Sequence, residues 1–252
     1  MNALDLSLIA PALLAGALVL STHVPLGHEV LKRGIIFIDL AIAQIAALGV
    51  IAAIVFGGEL ANWQIQVFAS LSALLGAALI YGLEQRHKDS LEAIIGILFV
   101  LAASGGLILV SYAPHSDELL HDLLVGQILW VSSQQLLWIT ALYIPLLLIW
   151  FKFKRRNPLV FYLVFSLAVT ASVQLVGIYL VFASLILPAL ASRKIQDRTS
   201  RLKVAYSIGL SGYILGLIAS IIFDLPTGAV TVWTLLFVVL IITPRINRVC
   251  RR

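Results

Sequence analysis

The sequence predicts an all-α, polytopic helical membrane protein with about eight or nine transmembrane segments, one pair of them broken or re-entrant. Three observations carry this expectation. Of the 252 residues, 61% are hydrophobic and only 12% charged, half the charged share of about 25% usual in a soluble domain. Mean hydropathy is +1.06. The apolar residues also come in runs close to the ~20 needed to cross a hydrocarbon core. These runs are apolar on all sides and do not alternate as barrel strands do. Finally, the cations are confined to loops and the C-terminus, as the positive-inside rule expects. The net charge of +5 is therefore a topology signal, not a sign of a nucleic-acid partner. The chain reads as one transmembrane domain over residues 1–252.

Taken in order, span one covers about Leu6 to Leu20, and a loop with His23, Pro25, Gly27, His28, Glu29, Lys32 and Arg33 follows. Without a basic n-region, this first run reads as a true span and not a cleaved signal. Span two is about Ile35 to Phe56, with Asp39 and Gln44 in its first half. A carboxylate inside such a helix costs about 2.5–3.5 kcal/mol on insertion scales, so it faces a partner or a watery path. Gln44 lies five residues on, so the pair does not share a face as i, i+4 residues do. Each residue is a candidate for a pathway role or for interhelical hydrogen bonding.

A cation-free loop at Glu59 leads to span three, about Trp63 to Leu83. The loop Glu84 to Glu92 carries Arg86 and Lys88, and span four is about Ala93 to Tyr112. The segment Pro114 to Asp122 has no Lys or Arg, and its His115, Asp117, Glu118, His121 and Asp122 mix imidazole with carboxylate. That set suits a transition metal such as zinc; a solvated acidic loop or a docking surface is the alternative. Span five is about Leu136 to Trp150, followed by four cations between Lys152 and Asn157.

The 34 residues from Pro158 to Ala191 lie between two basic loops, so they must cross an even number of times. As continuous helix they measure about 51 Å, whereas two full spans need about 60 Å. This predicts two short spans or a re-entrant pair, interrupted near Gln174 and Gly177 and again at Pro188. Such breaks are tolerated only inside protein or along a cavity, which points to a pathway. Five cations follow between Ser192 and Lys203, then span seven from about Val204 to Phe223, a turn at Asp224 to Gly228, and a last span ending near Thr243. Gly212, Gly216 and Ser220 follow small-xxx-small spacing and predict close helix packing. Cation counts place the N-terminus outside and the C-terminus inside. Cys250 stands alone and forms no intrachain disulfide. No nucleophile–base grouping or phosphate-binding glycine loop occurs, so no enzyme is expected.

Several stretches resemble, in order, the metal-ion ABC importer permeases (ABC-3 type) for zinc, manganese or iron: PLGHEVLKRGIIFIDLAIAQIAALGV, EAIIGILFVLAASGGLILVS, LLVGQILWVSSQQL, VGIYLVFASLILPALASR and FDLPTGAVTVWTLLFVV. The resemblance implies a permease domain in the inner (plasma) membrane, homodimeric, with a cytoplasmic ATPase subunit and an extracytoplasmic metal-binding protein as partners. It also implies a transported divalent metal, with no permanently bound cofactor. Asp39 and Gln44 occupy the region of the family's span-two Asp/His pair. Gln44 stands at the histidine position, and Asp39 falls one residue before the aspartate position. Candidate metal residues are thus Asp39, Gln44, His115, Glu118, His121 and Asp122, with Gln174, Gly177 and Pro188 marking the pathway break. The family's cytoplasmic coupling segment after span five has no counterpart here. An ATP-independent or non-transporting membrane partner of a metal-binding protein is the alternative reading.

Overall fold

The computed structural model describes residues 6–57, 61–111, 128–153 and 157–249. Among them are nine α-helices: α1 (Leu6–Arg33), α2 (Ile38–Gly57), α3 (Asn62–Arg86), α4 (Leu91–Val110), α5 (Ser133–Phe153), α6 (Pro158–Val176), α7 (Ile178–Ser192), α8 (Arg198–Phe223) and α9 (Thr227–Val249). Short 3-10 turns occupy Lys88–Ser90 and Ile128–Trp130. Eight helices are long and apolar enough to cross a membrane, and Ile178–Ser192 is a ninth, shorter apolar helix. The expected eight or nine segments are therefore present, with the broken pair where it was predicted.

The contacts divide the chain into two compact units. The first comprises residues 1–33, 124–143 and 174–252. Here α8 and α9 pack along much of their length, and α1 lies against α7 and α8. The small residues predicted on span seven explain the first pairing. A side chain at Gly212 would run into Leu235, and one at Gly216 into Thr231. Thr234 Oγ1 then reaches the Gly212 carbonyl at 2.8 Å. The glycine stripe is thus spent within the chain, on α9. Gly16 and Gly27 of α1 similarly admit the ring of Tyr213 and the backbone at Leu185.

The first helix differs from expectation. It does not stop at Leu20 but runs on to Arg33, through Pro25. A proline removes the N–H that would bond the carbonyl four residues back, here that of Ser21. The Tyr206 hydroxyl of α8 donates to that carbonyl at 3.2 Å. A tertiary hydrogen bond thus fills the vacancy, and His23, Gly27, His28 and Glu29 are helical residues, not loop residues. Lys32 and Arg33 sit in the last turn, where cations complement the helix dipole. Gly34 follows at φ +71°, a left-handed conformation that ends helices and favours glycine.

The second unit comprises residues 34–123 and 144–173. Its centre is α2, packed against α3 and α4. Gly49 admits Ser72, and Gly76 admits Ile45, which lets α2 and α3 approach closely. An aromatic cluster knits the later part of this unit: Phe161 stacks near Trp150, Tyr162 and Phe165 at centroid distances of 6.0, 5.1 and 5.3 Å. Leu71, Leu75 and Leu79 form an i, i+4, i+8 ridge on α3, exposed by 52%, 72% and 49%. A continuous apolar ridge of this kind is unfavourable in water and matches lipid contact. Exposed tryptophans at positions 63, 130, 138 and 233 suit the membrane–water interfaces.

Candidate functional site

Asp39 is the second residue of α2, not a residue deep within the span. The carboxylate lies in the first turn, where free backbone N–H groups and the helix dipole favour negative charge. It is only 1% exposed, and the backbone N–H groups that act on it are those of Asp39 itself and Leu40, at the start of the helix. Gln44 is half-buried. At 100° per residue it lies about 140° around the helix from Asp39, so the two do not converge.

The side chain that does accompany Asp39 is Glu92, in the first turn of α4. Sequence reasoning placed Glu92 in a polar loop. The structure carries α3 to Arg86 and starts α4 at Leu91, which leaves Glu92 at a helix N-terminus. Its Oε1 accepts the Phe37 backbone N–H at 3.2 Å, two residues before Asp39. Its Oε2 is inaccessible and unpartnered among the described residues, and Glu92 is the charged neighbour that acts on Asp39. An acidic residue opening an apolar span was the available signal.

The first unit holds the break. Gly177 is buried with φ +79° and ψ 163°, a region essentially restricted to glycine. The helix stops at Val176 and restarts at Ile178, with the Gly177 carbonyl accepting from Val181 N–H at 3.1 Å. Gln174 is exposed on the last turn of α6. Pro188 is buried inside α7, which continues through it, so the interruption expected there is absent. The pieces are about 28 and 22 Å long at 1.5 Å per residue, and α6 alone is long enough to span.

Two histidines of α1 emerge in roles not expected for loop residues. His23 Nδ1–H donates to the Val19 carbonyl at 2.9 Å, while its buried Nε2 has no partner among the described residues. His28 Nδ1–H donates to the Val24 carbonyl at 2.8 Å, and its Nε2 meets Ser192 Oγ at 3.0 Å, joining α1 to α7. His115, Glu118, His121 and Asp122 lie outside the described residues. Among the described residues no three His, Cys, Asp or Glu side chains gather.

The basic segments also differ from expectation. The stretch from Ser192 to Lys203 is not one loop. Asp197 accepts the Ser200 N–H at 2.7 Å and caps α8, so Arg198, Arg201 and Lys203 are helical. That backbone bond holds the Asp197 carboxyl below the usual aspartate range. Between Phe153 of α5 and Pro158 of α6 only residues 154–157 intervene, which leaves no room for a separate coupling helix.

Nine apolar helices among the described residues, one pair of them broken at a glycine, define a polytopic helical membrane protein. The profile of the ABC 3 transport family matches residues 5–163 and 154–244, and the chain belongs to that family. It is 30% identical over 191 residues to the "Manganese transport system membrane protein MntC" of Listeria innocua, covering 66% of each chain. It is 27% identical over 248 residues to the protein of that name in Halalkalibacterium halodurans, covering 90% of this chain and 83% of that one. A similarity of 27% over 193 residues links it to the "Chelated iron transport system membrane protein YfeC" of Yersinia pestis, covering 68% and 64%. Among solved structures, "PsaBC from Streptococcus pneumoniae in complex with Fab" superposes with a TM-score of 0.74 at 24% identity, over 92% of this chain and 89% of that one. "An inward-facing conformation of a putative metal-chelate type ABC transporter" gives 0.68 at 19%, over 88% and 81%. These two likenesses establish the fold.

Proposed function

We propose that this chain is the plasma-membrane permease subunit of an ABC importer for a divalent transition metal, manganese or iron before zinc. In this reading it is homodimeric, its N-terminus faces outside and its C-terminus the cytoplasm. A cytoplasmic ATPase supplies the energy, an extracytoplasmic metal-binding protein supplies the ion, and the chain itself catalyses nothing. The observation that carries the reading is the family match along the chain, from residue 5 to residue 244. The names of the relatives favour manganese and iron. The buried carboxylate of Asp39 supports a cation cargo, because an intramembrane acid is costly without a functional partner.

One observation favours a second reading. Only four residues lie between α5 and α6, so in this chain that link would offer an ATPase no separate coupling helix. An ATP-independent or non-transporting partner of a metal-binding protein would need no such segment. The deciding experiment is uptake of radiolabelled manganese and zinc into proteoliposomes, with the chain alone and with its ATPase. The importer reading expects manganese uptake only when both ATPase and ATP are present. Uptake without ATP, or none from correctly folded protein, overturns it.

A further inference from the structure

We propose that Arg201, with Arg198 beside it in the first turn of α8, binds the phosphate of an anionic phospholipid headgroup at the end of the first unit where α1 and α7 finish and α8 begins. The site requires only that the chain spans a membrane, whatever it transports.

Helix length sets the depth. The 26 residues of α8 measure about 39 Å, whereas the hydrocarbon core is about 30 Å thick. The excess lies at the start of the helix. Leu210, Ile214, Ile218 and Ile222 are exposed apolar residues, and Phe223 is exposed at the far end, so this face meets hydrocarbon. A core-spanning length of about 20 residues, counted back from Phe223, reaches Lys203. Arg198 to Lys203 therefore lie in the headgroup layer, level with lipid phosphates. The ends of α1 and α7 meet there: His28 Nε2 lies 3.0 Å from Ser192 Oγ, and Arg201 is the charged neighbour of His28.

Charge then selects the ligand. Between Arg193 and Lys203 stand five cations and one acid, Asp197, whose carboxylate is already engaged by the Ser200 N–H at 2.7 Å. Of the other acids described in this unit, Glu29 is paired with Arg33 at 3.2 Å, and Asp224 follows the far end of α8. Among the described residues no salt bridge reaches Arg193, Lys194, Arg198, Arg201 or Lys203. Arg201 Nε is inaccessible and has no partner among the described residues, and a buried polar atom without one needs an explanation. Arg198 and Arg201, three residues apart, are neighbours on the helix surface, where like charges repel. An anion held by both relieves the repulsion and supplies the missing acceptor. The guanidinium fork matches the oxygens of a phosphate. At this depth that phosphate belongs to a lipid, and in the orientation proposed above the leaflet is the cytoplasmic one, which carries the negative surface charge.

The test is native mass spectrometry of the full chain in mild detergent, titrated with phosphatidylglycerol or phosphatidylcholine and read as bound lipid per chain. Wild type should retain phosphatidylglycerol in preference to phosphatidylcholine. One interfacial cation is worth about fivefold in affinity, so Arg201→Gln and Arg198→Gln should each weaken phosphatidylglycerol binding by about that factor. Arg198 is exposed, so its variant tests the site even where Arg201→Gln fails to fold, and melting curves show which variants are folded. Arg86→Gln removes an exposed cation from the second unit and should leave binding unchanged. Equal retention of the two lipids by wild type would overturn the proposal, as would equal losses from Arg86→Gln and Arg198→Gln, which would mean diffuse charge and no site. Complete displacement of the lipid by an equal concentration of inorganic phosphate would overturn it in favour of a free anion. Unchanged lipid binding in folded Arg198→Gln and Arg201→Gln, with loss of a co-purifying ATPase, would overturn it in favour of a protein dock.

Discussion

Removing one hydroxyl tests why the first helix continues through a proline. In α1 the Ser21 carbonyl has no helical donor, because Pro25 stands four residues on, and the Tyr206 hydroxyl serves it at 3.2 Å. Tyr206→Phe deletes that donor while keeping the ring. A hydrogen bond contributes about 0.5–1.5 kcal/mol net, and an orphaned buried acceptor costs about 1–3 kcal/mol. Tyr206 and Ser21 are partly buried, which argues for about 1 kcal/mol. Pro25→Ala restores the backbone donor and makes the tyrosine redundant. In that background Tyr206→Phe should cost almost nothing, a coupling of about 1 kcal/mol. A chain of this size shifts its melting temperature by roughly 2–4 °C per kcal/mol, within reach of a thermal scan in detergent. Equal losses from Tyr206→Phe in the two backgrounds would refute the reasoning, since the tyrosine would then act through packing alone.

Two further changes probe the break and a cap. Gly177→Ala forces a side chain into a glycine-only conformation and should cost about 1–3 kcal/mol, whereas Gly96→Ala, in open space within α4, should be neutral or stabilising. Thermal scans of the two variants side by side check this, and equal melting temperatures would contradict the backbone argument. Asp197 has its carboxyl held below the ordinary aspartate value of 3.8 by the Ser200 N–H. A depressed value in the folded state means the contribution is complete above about pH 4–5 and fades as pH falls through the folded-state value. Asp197→Ala should therefore lower the melting temperature at pH 7, with the gap to wild type closing towards pH 3. A gap independent of pH would show that the carboxylate is not what caps α8.

Much of the architecture was legible in one dimension. The break at Gly177 followed from two basic loops flanking a run too short for two full spans. Close packing of α8 followed from the spacing of Gly212, Gly216 and Ser220, within the subunit or at a dimer seam, and the structure supplies α9 as its partner. The link after span five read as short, and four residues separate α5 from α6. Other boundaries were misjudged where polarity was taken to end a helix. Arg198 to Lys203 and His23 to Arg33 are polar yet helical, because a cap at Asp197 and a hydroxyl from Tyr206 satisfy the backbone there. Pro188 read as a break, yet α7 runs through it.

The candidate site was only half legible. Asp39 stood out as an acid in an apolar run, and its nearest polar residue along the chain was Gln44. The acid that the fold brings to the start of the same helix, Glu92, is 53 positions away and looked like part of a solvated loop. By itself the sequence determined the membrane class, the number of spans and the place of the broken pair, because hydropathy, charge and glycine spacing are properties of each segment taken alone. Only the tertiary structure decided how far α1 extends and which carboxylate accompanies Asp39, because both depend on polar groups that distant segments bring together, where a buried donor or acceptor left without its partner is too costly to keep.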